Sequence, residues 1–478
     1  MVASWVLDEM KTADLKDKRL NNRLREVLSQ LGGHPTASIP AACGGHAEMT
    51  AAYRLFDNDN ATVEAILQPH IDATRRRIAS HPVALLVQDT SEIDVTRPQQ
   101  QVAGAGPLDG GARWGTLLHL LHAFTPDGTP LGSVRALTWV RDEVDESCAS
   151  LSRAQRAATP IEEKESVRWV DMLRRTRDEA QRCPSTQLVC LADSEADIYE
   201  LLAEGTTPPQ RVDWIVRACQ NRTLQQRAAD FSPRGFQETS EKHLREHVLT
   251  QPVLFTHNIH VRGRKAKVNC EKRGRRQPRD SREAEMEVRA ARVTLRPPWR
   301  ADRKLPPVTV NVVMVREVDP PENDVRVEWL LLTSLPVDDI QQVRLVIQYY
   351  CTRWMIEVFF RVLKSGCRVE ERQFENIDRL LSCLAVYLIV AWRTLYVCRL
   401  GRGCPDISCE VVFEPAEWKS VWNVIHKAAP PSGPPSLGEM VQLVAQLGGY
   451  VNRKRGYSKD HLCSPLVGLI RRASAQSA

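Results

Sequence analysis

Along residues 1–70 the apolar positions fall at helical spacing. Leu15, Leu20, Leu24, Val27, Leu28 and Leu31 recur mostly three to five residues apart, basic residues fill the gaps, and Gly32-Gly33-His34-Pro35 predicts the end of that helix. A second helical stretch covers Ala47 to Phe56 and stops at the turn-rich Asp57-Asn58-Asp59-Asn60. From about residue 82 the pattern changes to strands alternating with helices. Val83 to Val87 is a short apolar run ending in Gln88-Asp89-Thr90, and Thr116–Phe124 and Leu131–Val140 read as strands joined by the turn Thr125-Pro126-Asp127-Gly128. Glu162 to Cys183 reads as a charged amphipathic helix, and Gln187 to Ala192 as a buried strand ending at Asp193. That order predicts a mixed α/β sheet. Residues 210–335 are mostly short β runs (Trp214–Ala218, Val308–Val315, Val325–Leu332) broken by basic loops, which predicts a β-rich insertion. Helical spacing returns at Ile340 and lasts to about Leu400; a Pro-rich bend at 428–435 precedes a final helical unit. The expected organisation is therefore a helical region at 1–70, an α/β core at 71–209 and 336–400 interrupted by the insertion at 210–335, and a helical region at 401–478.

Composition narrows the class. With 42% hydrophobic and 26% charged residues among 478, the chain can bury a core, and disorder as its main state is excluded. The longest apolar run, Leu380 to Trp392, is closed by Arg379 and Arg393 and falls short of the roughly 18–20 residues that cross a bilayer, so it is expected to be a buried helix. The first residues are charged too early for a signal-peptide core, and the 13 cysteines form no CxxC pair. Reduced thiols, no zinc module, no membrane and a cytoplasmic location are the expectations. Net charge is only +6, but ten Lys/Arg crowd between Val261 and Arg282 against Glu271 and Asp280. Such a block suits a polyanionic partner, or a solvated loop.

Tyr350, Arg353, Glu357 and Lys364 carry the most chemical information. At 100° per residue they fall within a stripe about 60° wide on an ideal helix. A carboxylate flanked by two cations also describes a salt-bridged surface stripe, so spacing alone leaves both readings open. Asp89 and Asp193 each follow a short apolar run, where a buried strand surfaces at its C-terminal end; an Asp there is otherwise a common turn former. Two strand-end carboxylates joined by one from a helix make an oxygen-donor cage suited to Mg²⁺ or Mn²⁺. Metals so held activate water or a 3′-hydroxyl for phosphodiester displacement. His119 and His122, three apart on a strand, face opposite sides and cannot share a metal. Trp329 by itself reads as a core tryptophan.

The order and flanks of these motifs resemble the insertion-sequence-four family of bacterial DDE transposases, Tn-five type. That family marks its third acidic helix with Tyr-x2-Arg-x3-Glu-x6-Lys, and Tyr350, Arg353, Glu357 and Lys364 match every spacing. Val87-Gln88-Asp89-Thr90-Ser91 resembles its first acidic motif and Ala192-Asp193-Ser194-Glu195-Ala196-Asp197 its second, with Ser194 where relatives often carry Arg. Asp17-x-Arg19 with Arg23, and Ala52-Tyr53-Arg54-Leu55-Phe56, are similar to the family's DNA-binding region. Glu328 to Ser334 resembles the segment whose Trp receives a flipped base, and Glu417-Trp418-Lys419 and Leu447-Gly448-Gly449 resemble the dimerisation region. The ending Gly456-Tyr457-Ser458-Lys459-Asp460-His461 departs from the usual pattern.

The resemblance implies an RNase H-like catalytic core with a β-rich insertion, flanked by helical N- and C-terminal domains. It implies cut-and-paste transposition through a hairpin intermediate by a homodimer on double-stranded DNA, both transposon ends and target. Asp89, Asp193 and Glu357 would be catalytic and hold Mg²⁺, with Mn²⁺ as substitute. Tyr350, Arg353 and Lys364 would grip the phosphate beside the cut, and Trp329 would stack the flipped base. Arg23 and Arg54 would read the ends, with Arg217, Arg222 and the 261–282 block on the backbone. The alternatives are a transposase-derived regulator that binds without cutting, or an RNase H-fold nuclease of other purpose.

Overall fold

The computed structural model describes residues 2–142, 155, 158–206, 212–225, 243–261, 280–322 and 324–447. In chain order the N-terminal helices are α1 (Ser4–Glu9), α2 (Lys18–Gly33), α3 (Ile39–Ala42), α4 (His46–Phe56) and α5 (Val63–Ala79), followed by strands β1 (Val83–Asp94), β2 (Gly106–Pro107), β3 (Trp114–Phe124) and β4 (Pro130–Trp139). Next come α6 (Val167–Arg182), β5 (Gln187–Ala192), α7 (Tyr199–Gly205), β6 (Val212–Arg217), α8 (Leu244–Leu249), β7 (Phe255–Val261), β8 (Arg282–Leu295), β9 (Val308–Glu317) and β10 (Glu328–Thr333). The last helices are α9 (Ile340–Thr352), α10 (Met355–Arg361), α11 (Ile377–Gly403), α12 (Pro415–His426) and α13 (Leu437–Leu447). This is the mixed α/β class the sequence implies, with a β-rich insertion and helical regions toward both ends. Two compact units emerge: the first contains Met1–Ser150, Glu179–Thr186 and Trp354–Ala478, the second Leu151–Asp178 and Gln187–Arg353.

In the first unit β1 pairs antiparallel with β3, and β3 with β4. Helices α5 and α11 pack on β4 and on each other. The leucine spacing that predicts α2 buries Leu24, Val27, Leu28 and Leu31, and the Asp17 carboxylate caps its start by accepting the Arg19 N–H at 2.7 Å. Two expectations change here. Asp89 does not end its strand: β1 runs on to Asp94, and the apolar run ends well before pairing with β3 does. The thirteen-residue apolar run is the middle of a 27-residue helix, α11, which has the length and apolarity to cross a membrane. What marks α11 as a core helix is its packing, since 83% of its most apolar window is buried in the protein.

Buried polar groups tie this unit together. Glu9 on α1 meets His70 Nδ1 at 2.5 Å and receives both Arg77 guanidinium nitrogens at 2.9 and 3.0 Å, while His70 Nε2 accepts the Ser133 N–H at 2.9 Å. Burial alone would raise the Glu9 carboxyl, but charge and hydrogen bonds from His70 and Arg77 hold it at about 2. Arg372, 5% exposed, spends its guanidinium on backbone carbonyls, donating to Pro35 at 2.7 Å, to Cys367 at 2.5 Å and to Ala37, with Tyr387 stacked 4.6 Å below. His122 lies buried between the rings of Phe124 and Phe359, centroids 4.8 and 4.5 Å away, with Nδ1 3.1 Å from Ser133 Oγ. Burial, with His70 and Arg77 nearby, pushes His122 well below the usual 6.5, and burial shifts His70 the same way. The sign follows: below about pH 6.5 the unfolded chain takes up protons that the folded chain refuses, so stability declines as pH falls, by about 1.4 kcal/mol per unit for each such group until its own lowered pKa is reached. Tm followed from about pH 7.5 to about pH 5 should drop, and more gently for His122→Gln. An equal slope in the variant would remove His122 from that account.

In the second unit β5 and β6 are parallel, and β6, β10, β9, β8 and β7 continue the sheet in antiparallel pairs. Strands β7 and β8 were not expected. Along β8, Ala284, Met286 and Val288 are buried while Glu283 and Glu285 are exposed, the period-2 signature of a half-buried strand. Residues 262–279 of the basic block lie outside the described residues, as does the divergent ending. Arg282, the block's last cation, is inside the fold, bonded to Glu317 Oε1 at 2.9 Å and to Asp324. The long helical stretch is also divided: α9 stops at Thr352, a turn takes Arg353 and Trp354, and α10 opens at its C-terminal end into a π turn, Val362–Gly366, closed by Cys367 N–H to Val362 O at 2.7 Å. An ideal 100° stripe therefore does not run unbroken from Tyr350 to Lys364.

Candidate active site

In the first unit the site begins on β1. Ala84 to Val87 are fully buried, Gln88 is 1% exposed, and Asp89 is the first residue of the strand to reach half-burial after that run. Opposed residues of an antiparallel pair share a face, so Asp89 lies on the side of Val87 and of Val87's partner His122. Helix α10 packs on β1, and its Phe359 ring against His122 shows which face it covers. Glu357, two residues earlier on α10, lies about 200° around the helix from Phe359. On the opposite side His119 holds Thr90 Oγ1 at 2.8 Å and Gln88 Oε1 at 3.3 Å, so each histidine has its own partner and they do not converge. Lys364, in the π turn, stands 3.4 Å from Glu370, whose Oε1 accepts the Asp94 N–H at 3.0 Å; this links the lysine to the far end of β1.

In the second unit Asp193 follows β5 directly, as the sequence reading has it. Its Oδ1 accepts the Glu195 N–H at 2.9 Å, capping a 3₁₀ turn over Ser194–Ala196. Tyr350 on α9 is 5% exposed; the Arg353 guanidinium lies 5.9 Å from its ring centre and the Trp329 ring meets it edge-on at 5.9 Å. Burial pushes the Tyr350 phenol up, Arg353 and Arg217 pull it down and Asp193 pushes it up again. Arg217, at the end of β6, donates to Glu328 O at 3.2 Å.

Trp329 is half-buried on β10 and lines an apolar cavity of about 240 Å³ with Phe255, Ile259, Met286, Val288 and Val315. Arg222 has a different place from the one expected of a backbone-gripping cation: its side chain is 8% exposed and paired with Asp197, 0% exposed, at 2.5 Å. Asp197, the last residue of the second acidic motif, carries no role on the sequence alone. Its only signal was the distance of four residues from Asp193. Far from these groups in sequence, Arg23 on α2 reaches Glu26 at 2.8 Å, and Arg54 is exposed in the last turn of α4.

The three expected ligands are divided between the units, Asp89 and Glu357 in the first and Asp193 in the second. Among the described residues no three His, Cys, Asp or Glu side chains stand close enough together to hold a metal ion. The donors are all carboxylate oxygens at half-buried positions, which is the chemistry a hard divalent cation requires.

Three family models match the chain in succession: Transposase DNA-binding over residues 2–61, Transposase DDE domain over 157–391, and Transposase Tn5 dimerisation domain over 389–467. The chain belongs to the Tn5-type DDE transposases. Arg23 and Arg54 of this transposase fall in the DNA-binding match; Asp193, Arg217, Trp329, Tyr350, Arg353, Glu357 and Lys364 fall in the DDE match; Asp89 precedes it. DDE domains work with a divalent metal. The dimerisation match begins inside α11, whose end packs with α12 and α13 around Trp418, Val421, Met440 and Val444. Among solved structures, the cryo-EM structure of a piggyBac transposase synaptic complex with hairpin DNA is 8% identical, with a TM-score of 0.32 over 73% of this chain and 54% of that one. The present transposase thus spans about half the length of that protein.

Proposed function

We propose that this transposase moves DNA by cut-and-paste. Water nicks each transposon end, the freed 3′-hydroxyl attacks the opposite strand to form a hairpin, and the reopened end joins target DNA. The observation that carries this reading is the second-unit arrangement in which Asp193 stands directly after β5 while Tyr350, buried on α9, has the Arg353 guanidinium and the Trp329 ring each 5.9 Å from its ring centre. A carboxylate beside donors for a phosphate is what phosphodiester chemistry needs, and charge-assisted bonds are the strong kind. Asp89, Asp193 and Glu357 would hold Mg²⁺, with Mn²⁺ as substitute. Such an ion, when bound, lowers the pKa of an attacking water or hydroxyl and offsets charge on the phosphate.

The remaining work belongs to the chain's own groups. Arg353 and Lys364 donate to the non-bridging oxygens beside the cut, and the Tyr350 hydroxyl, kept protonated by burial, donates as well. Trp329 receives an extruded base. Arg23 and Arg54 contact the transposon end, and Arg217 the backbone. The segment around α12 and α13 pairs two copies so that both ends are held together, and the protein acts in the cytoplasm on the nucleoid.

A cleavage assay tests this reading. Duplexes carrying the inverted repeats that border the gene should be nicked to a 3′-hydroxyl, then converted to hairpins, in Mg²⁺ or Mn²⁺ and not in EDTA. Tight binding without nicking in any metal would make the protein a regulator. Equal cutting of DNA lacking the repeats would make it a nuclease of other purpose.

A further inference from the structure

We infer that Asp197 and Arg222 form a positioning pair that sets where Asp193 stands, and that Arg222 does not reach DNA. The inference rests on the proposed role of Asp193 as a metal ligand. Asp197 closes the short turn that Asp193 opens: Asp193 caps Ser194–Ala196, and Asp197 is the residue that follows. Its carboxylate is saturated from outside that turn. Arg222 Nε and Nη2 donate to Oδ1 at 3.0 and 2.5 Å, and the backbone N–H groups of Cys219 and Gln220 donate to Oδ2, each at 2.9 Å. The Asp197 carbonyl accepts two more bonds, from Arg222 Nη2 at 2.7 Å and Gln220 Nε2 at 3.0 Å. Cys219 Sγ also donates to Ser194 O at 3.4 Å.

These bonds staple the turn after β5 to the segment leaving β6, which begins at Arg217. Two groups of the proposed site, Asp193 and Arg217, are therefore mounted on one stapled pair of loops. Loops that hold metal ligands need such support, because the ligands tolerate only small misplacements. Desolvating an ion pair is a poor way to gain stability, since apolar packing of the same volume does as well or better. What an ion pair with six convergent hydrogen bonds supplies is direction. Two of the three Arg222 guanidinium nitrogens, Nε and Nη2, are spent on Asp197, and the side chain is 8% exposed.

The same unit holds a control, the Glu200–Arg300 pair at 2.5 Å, with Glu200 at 8% exposure, which ties α7 to the loop after β8 and touches neither Asp193 nor Arg217. Full-length Asp197→Asn, Arg222→Lys, Glu200→Gln and Asp193→Ala would be compared by Mn²⁺ binding (electron paramagnetic resonance), binding of end DNA in EDTA, nicking rate against Mn²⁺ concentration, and Tm. Asp197→Asn and Arg222→Lys should weaken Mn²⁺ binding roughly tenfold or more. Their end binding in EDTA should stay at the wild-type level, and excess Mn²⁺ should recover most of the nicking rate. Glu200→Gln should lose comparable Tm and keep its Mn²⁺ affinity. Arg222→Lys retains the charge and so stays testable if Asp197→Asn fails to fold. Wild-type Mn²⁺ affinity in Arg222→Lys would overturn the inference, and so would a loss of DNA binding in EDTA with metal affinity intact. If Asp193→Ala itself binds Mn²⁺ normally, the role of Asp193 fails first, which is a separate result.

Discussion

Alanine at Asp89, Asp193 or Glu357 should abolish strand cleavage while leaving end binding in EDTA at its wild-type level. The three carboxylates sit on different elements, β1, the turn after β5, and α10, so no single local collapse would explain a shared phenotype. Each would remove a hard oxygen donor that the proposed chemistry needs and that the proposed DNA contacts on α2 and α4 do not. A loss of a thousandfold or more in nicking, about 4 kcal/mol in the barrier, is the scale of removing one ligand. The informative variant is Asp89→Ala, because Asp89 alone precedes the matched DDE segment. Gel-resolved nicking in Mg²⁺ on end duplexes reads the effect. Any of the three that still nicks at a near wild-type rate is not a ligand.

Trp329→Ala should leave first-strand nicking nearly intact and slow hairpin formation by about ten- to a hundredfold, since each ~1.4 kcal/mol is a decade in rate. A hairpin bends one strand sharply, and unstacking a base near the cut relieves that bend at a cost of a few kcal/mol. Stacking on an indole returns about 1–3 kcal/mol of it. Trp329 is suited to this because it is half-buried, is braced edge-on by Tyr350, and borders an apolar cavity of about 240 Å³. An abasic site at the extruded position should abolish most of the difference between variant and wild type. Equal loss of nicking and hairpin formation, or a collapse in Tm, would instead make Trp329 a core residue of the insertion.

How much of this was legible in the sequence depends on the range of the forces involved. The spacing of Tyr350, Arg353, Glu357 and Lys364 was readable because helical periodicity is local. The turn at Arg353 and Trp354 was not, since neither is Gly or Pro and both keep right-handed helical dihedrals. Asp193 was placed correctly after β5 because burial and strand pairing end together there. At Asp89 they separate: Thr90 to Asp94 are largely polar yet still paired to β3, so the apolar run understated the strand. Strand β8 escaped notice because its exposed face carries charge. Arg222 looked like any basic residue of a loop, and only the fold brings Asp197 to it from 25 residues away.

Arg372 leaves a different mark, on which substitutions the lineage can absorb. Its guanidinium is held by the carbonyls of Pro35, Ala37 and Cys367, and every residue type offers the same carbonyl. Side chains at 35, 37 and 367 are therefore not read by this contact, and drift there leaves it intact. All of the selection it generates falls on one codon, because lysine cannot span three acceptors with a planar fork. A tie between sequence segments more than 330 residues apart thus rests on one side chain at 372 and on backbone alone at the other end.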